Sequence, residues 1–193
     1  MIYSKGFSLI EVLITLVLTT IGILGMVALQ GRSIQYAHDS SSRNNAVMLT
    51  NELVEIMRGN RNQILTKQTE KENPIYTDFS NSSIFFKRAG SNFSAQPIAD
   101  DAACDISPST ALEQRNCWAV RTKETLPLTS DTNEPNDIFR KYFYICRSSV
   151  PGNCNDKGSM LEIQIAWQVP EGACQDTNAP NNTTCILRTR VEL

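Results

Sequence analysis

Hydrophobic residues are concentrated at the start of the chain. From Val12 to Gly31 there are 20 consecutive residues without a charge, about the length that an α-helix needs to cross the hydrocarbon core of a bilayer. A helix packed on a soluble core would show polar residues at helical spacing along its solvent side. Here the polar interruptions are threonines, Thr15, Thr19 and Thr20, whose hydroxyls can bond to carbonyls of the preceding turn. The pattern predicts a transmembrane helix.

A cleaved secretory signal peptide is the competing interpretation of this segment. Such a signal has an apolar region of about 7–15 residues that ends at a small-residue cleavage site. The apolar run here is longer, and Glu11 lies where the apolar region should be uninterrupted. The residues after Leu29 offer no convincing cleavage site of that kind. We therefore expect the span to be retained.

The residues that follow the span predict a continuation of the same helix. Apolar residues at helical spacing form a stripe on it: Ala46, Leu49, Leu53 and Ile56, widened by Val47, Val54 and Met57. A cation in the last turn and a glycine after it, Arg58 and Gly59, indicate the end of the helix. We predict one helix over residues 7–58. Its first part (7–31) would span the membrane, and its second part (32–58) would be amphipathic.

One point about this helix stays open at the level of the sequence. Residues 32–45 are polar and weakly patterned, so two helices broken near residues 40–45 are the alternative to one. The chain also lacks proline before Pro74, which removes the usual cause of a helix break. We expect a single helix that packs, through its second part, on a globular head of residues 59–193.

The head is predicted to be a small antiparallel sheet. Residues 60–112 are mostly polar, with one dense apolar cluster, Ile84–Phe86, which we assign to a strand or a short helix. Four candidate strands follow it: Cys117–Arg121, Lys141–Cys146, Leu161–Val169 and Cys185–Val191. In Leu161–Val169 every odd position is apolar, and this face would cover the helix stripe. The fold class is therefore α+β, with one long helix packed on an antiparallel sheet.

Charge and composition exclude several functions. The chain has 18 basic and 20 acidic residues, a formal net charge of -2 and one histidine, His38. A protein without a basic excess is not expected to bind nucleic acid. His38 lies in a polar run of the predicted helix and is expected to face solvent, so a hydrolytic triad is not indicated. No phosphate-binding loop or dinucleotide fingerprint occurs. We expect neither an enzyme nor a cofactor.

Six cysteines lie in the C-terminal half of the chain: Cys104, Cys117, Cys146, Cys154, Cys174 and Cys185. An even number of cysteines in an exported domain predicts disulfides, although six cysteines allow 15 connectivities. We favour the three nearest-neighbour pairs, because each brackets a polar, turn-rich loop. Zinc is the alternative, but there is no Cys-x-x-Cys pair and His38 is far away in the sequence. We expect no metal.

The stretch Lys5-Gly6-Phe7-Ser8-Leu9-Ile10-Glu11 resembles the class III signal of type IV pilins and type II secretion pseudopilins. Members of these families have a short basic leader ending in glycine, then phenylalanine, and glutamate as the fifth residue of the mature chain. The resemblance implies that a prepilin peptidase removes residues 1–6 by cutting between Gly6 and Phe7. It also implies that the new amino terminus, on Phe7, is N-methylated.

The same resemblance gives Glu11 a role. In the family, the glutamate of an incoming subunit is thought to meet the amino terminus of a neighbouring subunit in the growing filament. Two charges in an apolar environment are tolerated when they are paired. The alternative is that the side chain of Glu11 merely reaches the lipid headgroups near the start of the span.

The number of cysteines and the polar, irregular head resemble minor pilins more than major pilins. The apolar helix from Phe7 onward is similar to that of the PilV type of minor pilin. The resemblance implies a role in initiating pilus assembly, a possible place at the pilus tip, and support of adhesion and twitching motility. The implied partners are the prepilin peptidase, other minor pilins and the major pilin through the helix, the inner-membrane assembly platform and a possible tip adhesin.

The resemblance also implies a location. The chain would be a single-pass protein of the bacterial inner membrane, with Lys5 on the cytoplasmic side as the positive-inside tendency suggests. The head would lie in the periplasm before assembly and in the pilus on the cell surface afterwards. Two alternatives remain: a pseudopilin of a type II secretion system, and a membrane-anchored periplasmic binding domain.

Overall fold

The structure is a computed structural model with two compact units. They are Met1–Ser40, called the N-terminal unit below, and Ser41–Leu193, called the C-terminal unit. The residues that it describes are 6, 8–68, 75–80, 82–93, 104, 108–128, 137–174 and 176–193.

The architecture is α+β, as the sequence predicts. In chain order the elements are α1 (Leu9–Gly59), a 3-10 turn (Arg61–Gln63), β1 (Leu65–Gln68), β2 (Ile75–Phe79), α2 (Ala111–Thr125), α3 (Ile138–Tyr142), β3 (Tyr144–Arg147), β4 (Leu161–Gln168) and β5 (Thr184–Val191). The strands form two antiparallel sheets. One is the pair β1–β2, and the other has the order β3–β4–β5.

Helix α1 is continuous from Leu9 to Gly59, so the alternative of a break within residues 40–45 is wrong. The helix ends at Gly59, and Asn60 completes its last turn. The side-chain amide of Asn60 donates a hydrogen bond of 2.8 Å to the carbonyl of Ile56, and its backbone N–H donates to the same carbonyl at 3.1 Å. Carbonyls of a last helical turn need such partners because they have none within the helix.

The predicted stripe of α1 forms one wall of the core of the C-terminal unit. Its fully or nearly fully buried members are Ala46, Leu49, Leu53, Val54 and Met57. Two members of the predicted stripe differ: Val47 is exposed, and Ile56 is only partly buried. Both residues lie at the edges of the stripe, where the side chains of a helix point away from its packed face.

Strand β4 is the central strand of the larger sheet and supplies much of the core. Its apolar odd positions, predicted to face the helix stripe, are all buried: Leu161, Ile163, Ile165, Trp167 and Val169. The neighbouring prediction of a strand over 141–146 is partly wrong, because a one-turn helix, α3, occupies its first residues and β3 begins at Tyr144. The side chain of Asp137 starts α3 by accepting a hydrogen bond from the N–H of Phe139.

The predicted strand Cys117–Arg121 is wrong, because these residues lie in α2. A capping box starts this helix: the hydroxyl of Thr110 accepts from the N–H of Glu113, and the carboxylate of Glu113 accepts from the N–H of Thr110. Hydrogen bonds from the backbone of Thr110 and of Ser109 lower the pKa of Glu113. Trp118 then projects from α2 into the core, where its indole N–H donates to the carbonyl of Leu49.

The polar stretch between α1 and α2 contains structure that the sequence pattern does not indicate. Strands β1 and β2 lie in it. The cluster Ile84–Phe86, predicted to be a strand or a short helix, instead holds a turn at its first two residues. After it, Lys87 forms an isolated antiparallel bridge with Ile145 of β3. The ring of Phe85 is fully buried, so the cluster packs on the core without regular structure.

Candidate functional site: the N-terminal apolar segment

The N-terminal unit exposes almost all of its apolar side chains. Every residue from Ser8 to His38 is exposed, and the exposed fraction reaches 83% at Leu9 and 72% at Leu29. By length and composition, α1 is the one helix in the described part of the chain that could cross a membrane. A continuous apolar surface of this kind is typical of a segment that lipid or another protein covers.

The threonine hydroxyls of this segment are satisfied within the helix. Thr15 donates to the carbonyl of Val12 at 2.8 Å, and Thr20 donates to Val17 at 2.8 Å. Thr19 donates to the carbonyls three and four residues before it, both at 2.9 Å. An unsatisfied hydroxyl in hydrocarbon would cost several kcal/mol, roughly. These bonds let the polar residues of the run enter an apolar environment.

Glu11 is the acidic residue of the first turn of α1. Its side chain is exposed, and its backbone N–H donates to the carbonyl of Ser8 at 3.0 Å. A carboxylate in a first turn interacts favourably with the helix dipole, typically by about 0.3–1 kcal/mol. Gly6 is also exposed, whereas Phe7 lies outside the described residues. The geometry therefore presents the carboxylate at the start of the apolar surface, in the first turn of α1.

The six predicted disulfide cysteines pair as nearest neighbours along the chain. The disulfides are Cys104–Cys117, Cys146–Cys154 and Cys174–Cys185, with Cα–Cα distances of 5.3, 5.6 and 5.4 Å. Cys117 lies in α2, Cys146 in β3 and Cys185 in β5. Each disulfide therefore fastens a loop to a regular element of the C-terminal unit.

A buried carboxylate on β4 is a feature that the sequence analysis missed. Glu162 is fully buried. One of its oxygens accepts hydrogen bonds from the Tyr144 hydroxyl (2.6 Å) and from the N–H of Gly152 (2.7 Å). Its other oxygen lies 3.8 Å from Nε of Arg190. The pKa of Tyr144 is raised first by the burial of its own hydroxyl group, and then by the hydrogen bond to Glu162 and the negative charge of Glu162. Glu162 thus anchors the loop of the Cys146–Cys154 disulfide to the sheet.

Comparison with protein families identifies only the start of the chain. Residues 1–27 match the family described as the prokaryotic N-terminal methylation motif. No curated protein and no solved structure matches the chain. The motif is that of type IV pilin-like proteins and pseudopilins, which are structural subunits rather than enzymes. Together with the exposed apolar helix, it supports a membrane-anchored, pilin-like protein that a prepilin peptidase processes.

Proposed function

We propose that this chain is a minor pilin of a type IV pilus. The observation that carries the proposal is the coincidence of the methylation motif over residues 1–27 with a helix whose first 30 or so residues expose their apolar side chains. A filament subunit needs both: a signal for maturation, and an apolar surface that exchanges lipid for other subunits.

The proposed maturation has two steps. A prepilin peptidase cuts the bond between Gly6 and Phe7, which removes the leader, residues 1–6. The amino group of Phe7 is then methylated. Maturation leaves a cationic amine four residues before Glu11 in the sequence, close to the start of α1.

Glu11 acts as the assembly residue in this proposal. Its carboxylate pairs with the amino terminus of a neighbouring subunit when the helices of residues 7–31 pack together in the filament. Removing one partner of a buried ion pair leaves the other charge unpaired, which costs about 3–5 kcal/mol. The pair adds little over apolar contacts, but it fixes the register between helices that could otherwise slide.

The proposal also gives a location to each remaining part of the chain. Residues 7–31 span the inner membrane and later line the filament core, and residues 32–58 continue the helix. The disulfide-containing residues 59–193 lie in the periplasm before assembly and on the cell surface in the pilus. The partners are other minor pilins, the major pilin and the inner-membrane assembly platform.

Two features favour a minor over a major subunit. Three disulfides stabilise the C-terminal unit, whereas a single disulfide-bounded loop is typical of major pilins. The apolar helix is also similar to that of PilV-type minor pilins. On this basis the chain takes part in initiating the pilus, with a place near the tip and an indirect role in adhesion, through a tip adhesin, and in twitching motility.

The variant Glu11→Ala tests the assembly role. We expect cleavage and membrane insertion to remain normal, because neither requires the pair, and we expect the variant to be absent from sheared pili. Glu55→Ala is the matched control: Glu55 is on the same helix, and its exposed pair with Arg58 should contribute little. Incorporation of the Glu11 variant at the level of the control would refute the pairing.

A pseudopilin of a type II secretion system is the second candidate, because the same motif marks both kinds of subunit. Pseudopilins act in a short periplasmic piston rather than in a surface pilus. Immunoblots of sheared surface pili from cells that produce the protein separate the two. The minor-pilin proposal expects the chain in that fraction, and its presence only in the membrane fraction would favour the pseudopilin.

A further inference from the structure

The C-terminal unit contains a cavity of about 710 Å³ that the filament role does not use. The cavity lies at the outer edge of β3, between two stretches that flank this strand: Phe86–Arg88 on one side and Asn155–Lys157, directly after the Cys146–Cys154 disulfide, on the other. The remaining walls are Ser91, Asn92 and the β3 residues Ile145–Arg147.

Positive charge dominates the walls of this cavity. Four of the lining residues are cationic and one, Asp156, is acidic: the cations are Lys87, Arg88, Arg147 and Lys157. Asp156 pairs with Arg88, and Asp78, which lies outside the cavity wall, pairs with Arg147 at 3.0 Å. Two positive charges therefore remain without a directly paired carboxylate among the described residues.

The two unpaired cations differ in what they can offer a ligand. The ammonium group of Lys87 is buried and donates to the carbonyls of Phe143 (2.7 Å) and Arg140 (3.1 Å). It also donates to the carbonyl of Arg88 at 3.4 Å, so its three donors are already used, and burial lowers its pKa to about 7. Lys157 is exposed, and its side chain has no hydrogen-bond acceptor in the described part of the chain. Lys157 is thus the exposed, unpaired cation of the cavity, whereas Arg88, which is also exposed, shares its charge with Asp156.

The edge of β3 adds a backbone donor. Along an antiparallel strand, successive residues direct their N–H and C=O groups alternately to the two sides. Ile145 uses both groups to bond Lys87, outside the β3–β4 pair, so Arg147 points to the same side. The carbonyl of Arg147 accepts from the N–H of Asp156 at 3.1 Å. Within the described residues its N–H has no acceptor, and it opens into the gap between the two flanking stretches.

We propose that this cavity binds an acidic peptide segment of another protein. A carboxylate of the peptide would bind between Arg88 and Lys157 and accept from the N–H of Arg147. An adjacent apolar side chain would pack on the half-buried ring of Phe86. The apolar ring beside charged donors favours a peptide over an anionic sugar, which would need hydrogen-bonding groups across the whole wall. The proposal stands apart from the filament role and does not depend on Glu11.

Fluorescence anisotropy on the full chain in detergent micelles tests this proposal. The probe is a labelled six-residue peptide of four glutamates around two leucines, and the matched probe replaces each glutamate with glutamine. We expect the acidic peptide to bind and the glutamine peptide to bind at least about tenfold more weakly, since charged hydrogen bonds exceed neutral ones. Binding should also weaken as salt rises, because the cations are exposed.

Two substitutions locate the site. Lys157→Glu should weaken the peptide by about tenfold or more, because it reverses the charge of an exposed residue whose side chain the fold does not use. Lys141→Glu is the control: it makes the same charge change on an exposed residue of α3 that does not line the cavity, and it should leave affinity within about twofold. Equal affinity of both variants, equal binding of the glutamine peptide, or no binding by the unmodified chain would overturn the proposal.

Discussion

The two units of this protein differ in whether their apolar side chains are buried. In the N-terminal unit the leucines and isoleucines of α1 are exposed, whereas further along the same helix Leu49, Leu53 and Met57 are completely buried. Burial of one such side chain is favourable by about 1.5–3 kcal/mol. The C-terminal unit obtains this free energy from its own chain. The N-terminal unit can obtain it only from lipid or from another protein that covers its apolar surface.

Two glutamates, one in each unit, differ in the same way: one is buried and paired, and the other is exposed. Glu162 is fully buried, and its own chain supplies the Tyr144 hydroxyl, the N–H of Gly152 and the nearby Arg190. Glu11 stands exposed at the start of an apolar helix. A carboxylate that is paired within its own chain is part of the folded core. A carboxylate that enters an apolar environment without a partner is energetically costly until a cation pairs with it. The proposed assembly role of Glu11 follows from that cost.

Reduction of all three disulfides should produce the largest difference between the units. The loops they close span 13, 8 and 11 residues, so each contributes about 2–3 kcal/mol by the chain-entropy argument. Their sum, about 8 kcal/mol, is comparable to the whole stability of a typical domain, about 5–15 kcal/mol. We expect reduction in micelles to unfold the C-terminal unit and to leave the helix of the N-terminal unit intact.

Two optical signals measure this outcome separately. Both tryptophans of the chain, Trp118 and Trp167, are buried in the C-terminal unit, so their fluorescence reports its unfolding. Far-ultraviolet circular dichroism reports the helix that remains. An unchanged denaturation midpoint after complete thiol alkylation would show that the C-terminal unit does not need its disulfides.

A pair of leucine substitutions on α1 sharpens the comparison at the level of single side chains. Leu53→Ala removes a completely buried side chain and should lower the free energy of unfolding by about 2–5 kcal/mol. Leu24→Ala truncates a side chain that is 69% exposed and should change it by less than about 0.5 kcal/mol. Urea denaturation in micelles, followed by tryptophan fluorescence, measures both. Equal effects would mean that the two parts of the helix do not differ as described.

A smaller effect is expected where a buried charge loses one of its donors. Tyr144→Phe removes the hydroxyl that donates to Glu162, and a hydrogen bond to a charged group contributes about 1.5–3 kcal/mol. Tyr142→Phe is the matched control, because its hydroxyl makes only a long contact, 3.4 Å, with Asn181 at the surface. Denaturation midpoints of the two variants should therefore differ clearly. Midpoints that coincide would remove Glu162 as the anchor of its loop.

The sequence pattern predicts the elements that local periodicity determines. The stripe of α1 and the alternation of β4 are both long enough to identify the element and its buried face. The strand assigned to Cys117–Arg121 failed because aromatic and β-branched residues outweighed a more specific signal. That signal was the spacing of Thr110 and Glu113, which starts a helix.

Functional residues could be predicted from the sequence only where they are consecutive. The motif from Gly6 to Glu11 can be recognised in the sequence because its residues are consecutive and match the N-terminal methylation motif. Glu162 gives no such signal: alternation along β4 assigns it to the outer face, where the loop that carries Gly152 and the side chains of Tyr144 and Arg190 surround it. The cavity at the edge of β3 arises in the same way, from residues such as Arg88 and Lys157 that are distant in the sequence.

The mass of the intact protein, purified from cells with an active prepilin peptidase, tests the central claim most directly. We expect a chain that begins at Phe7 and carries one methyl group on its amino terminus. A chain that keeps all 193 residues, including Met1–Gly6, would contradict it, because no free amino terminus would then lie four residues before Glu11 in the sequence.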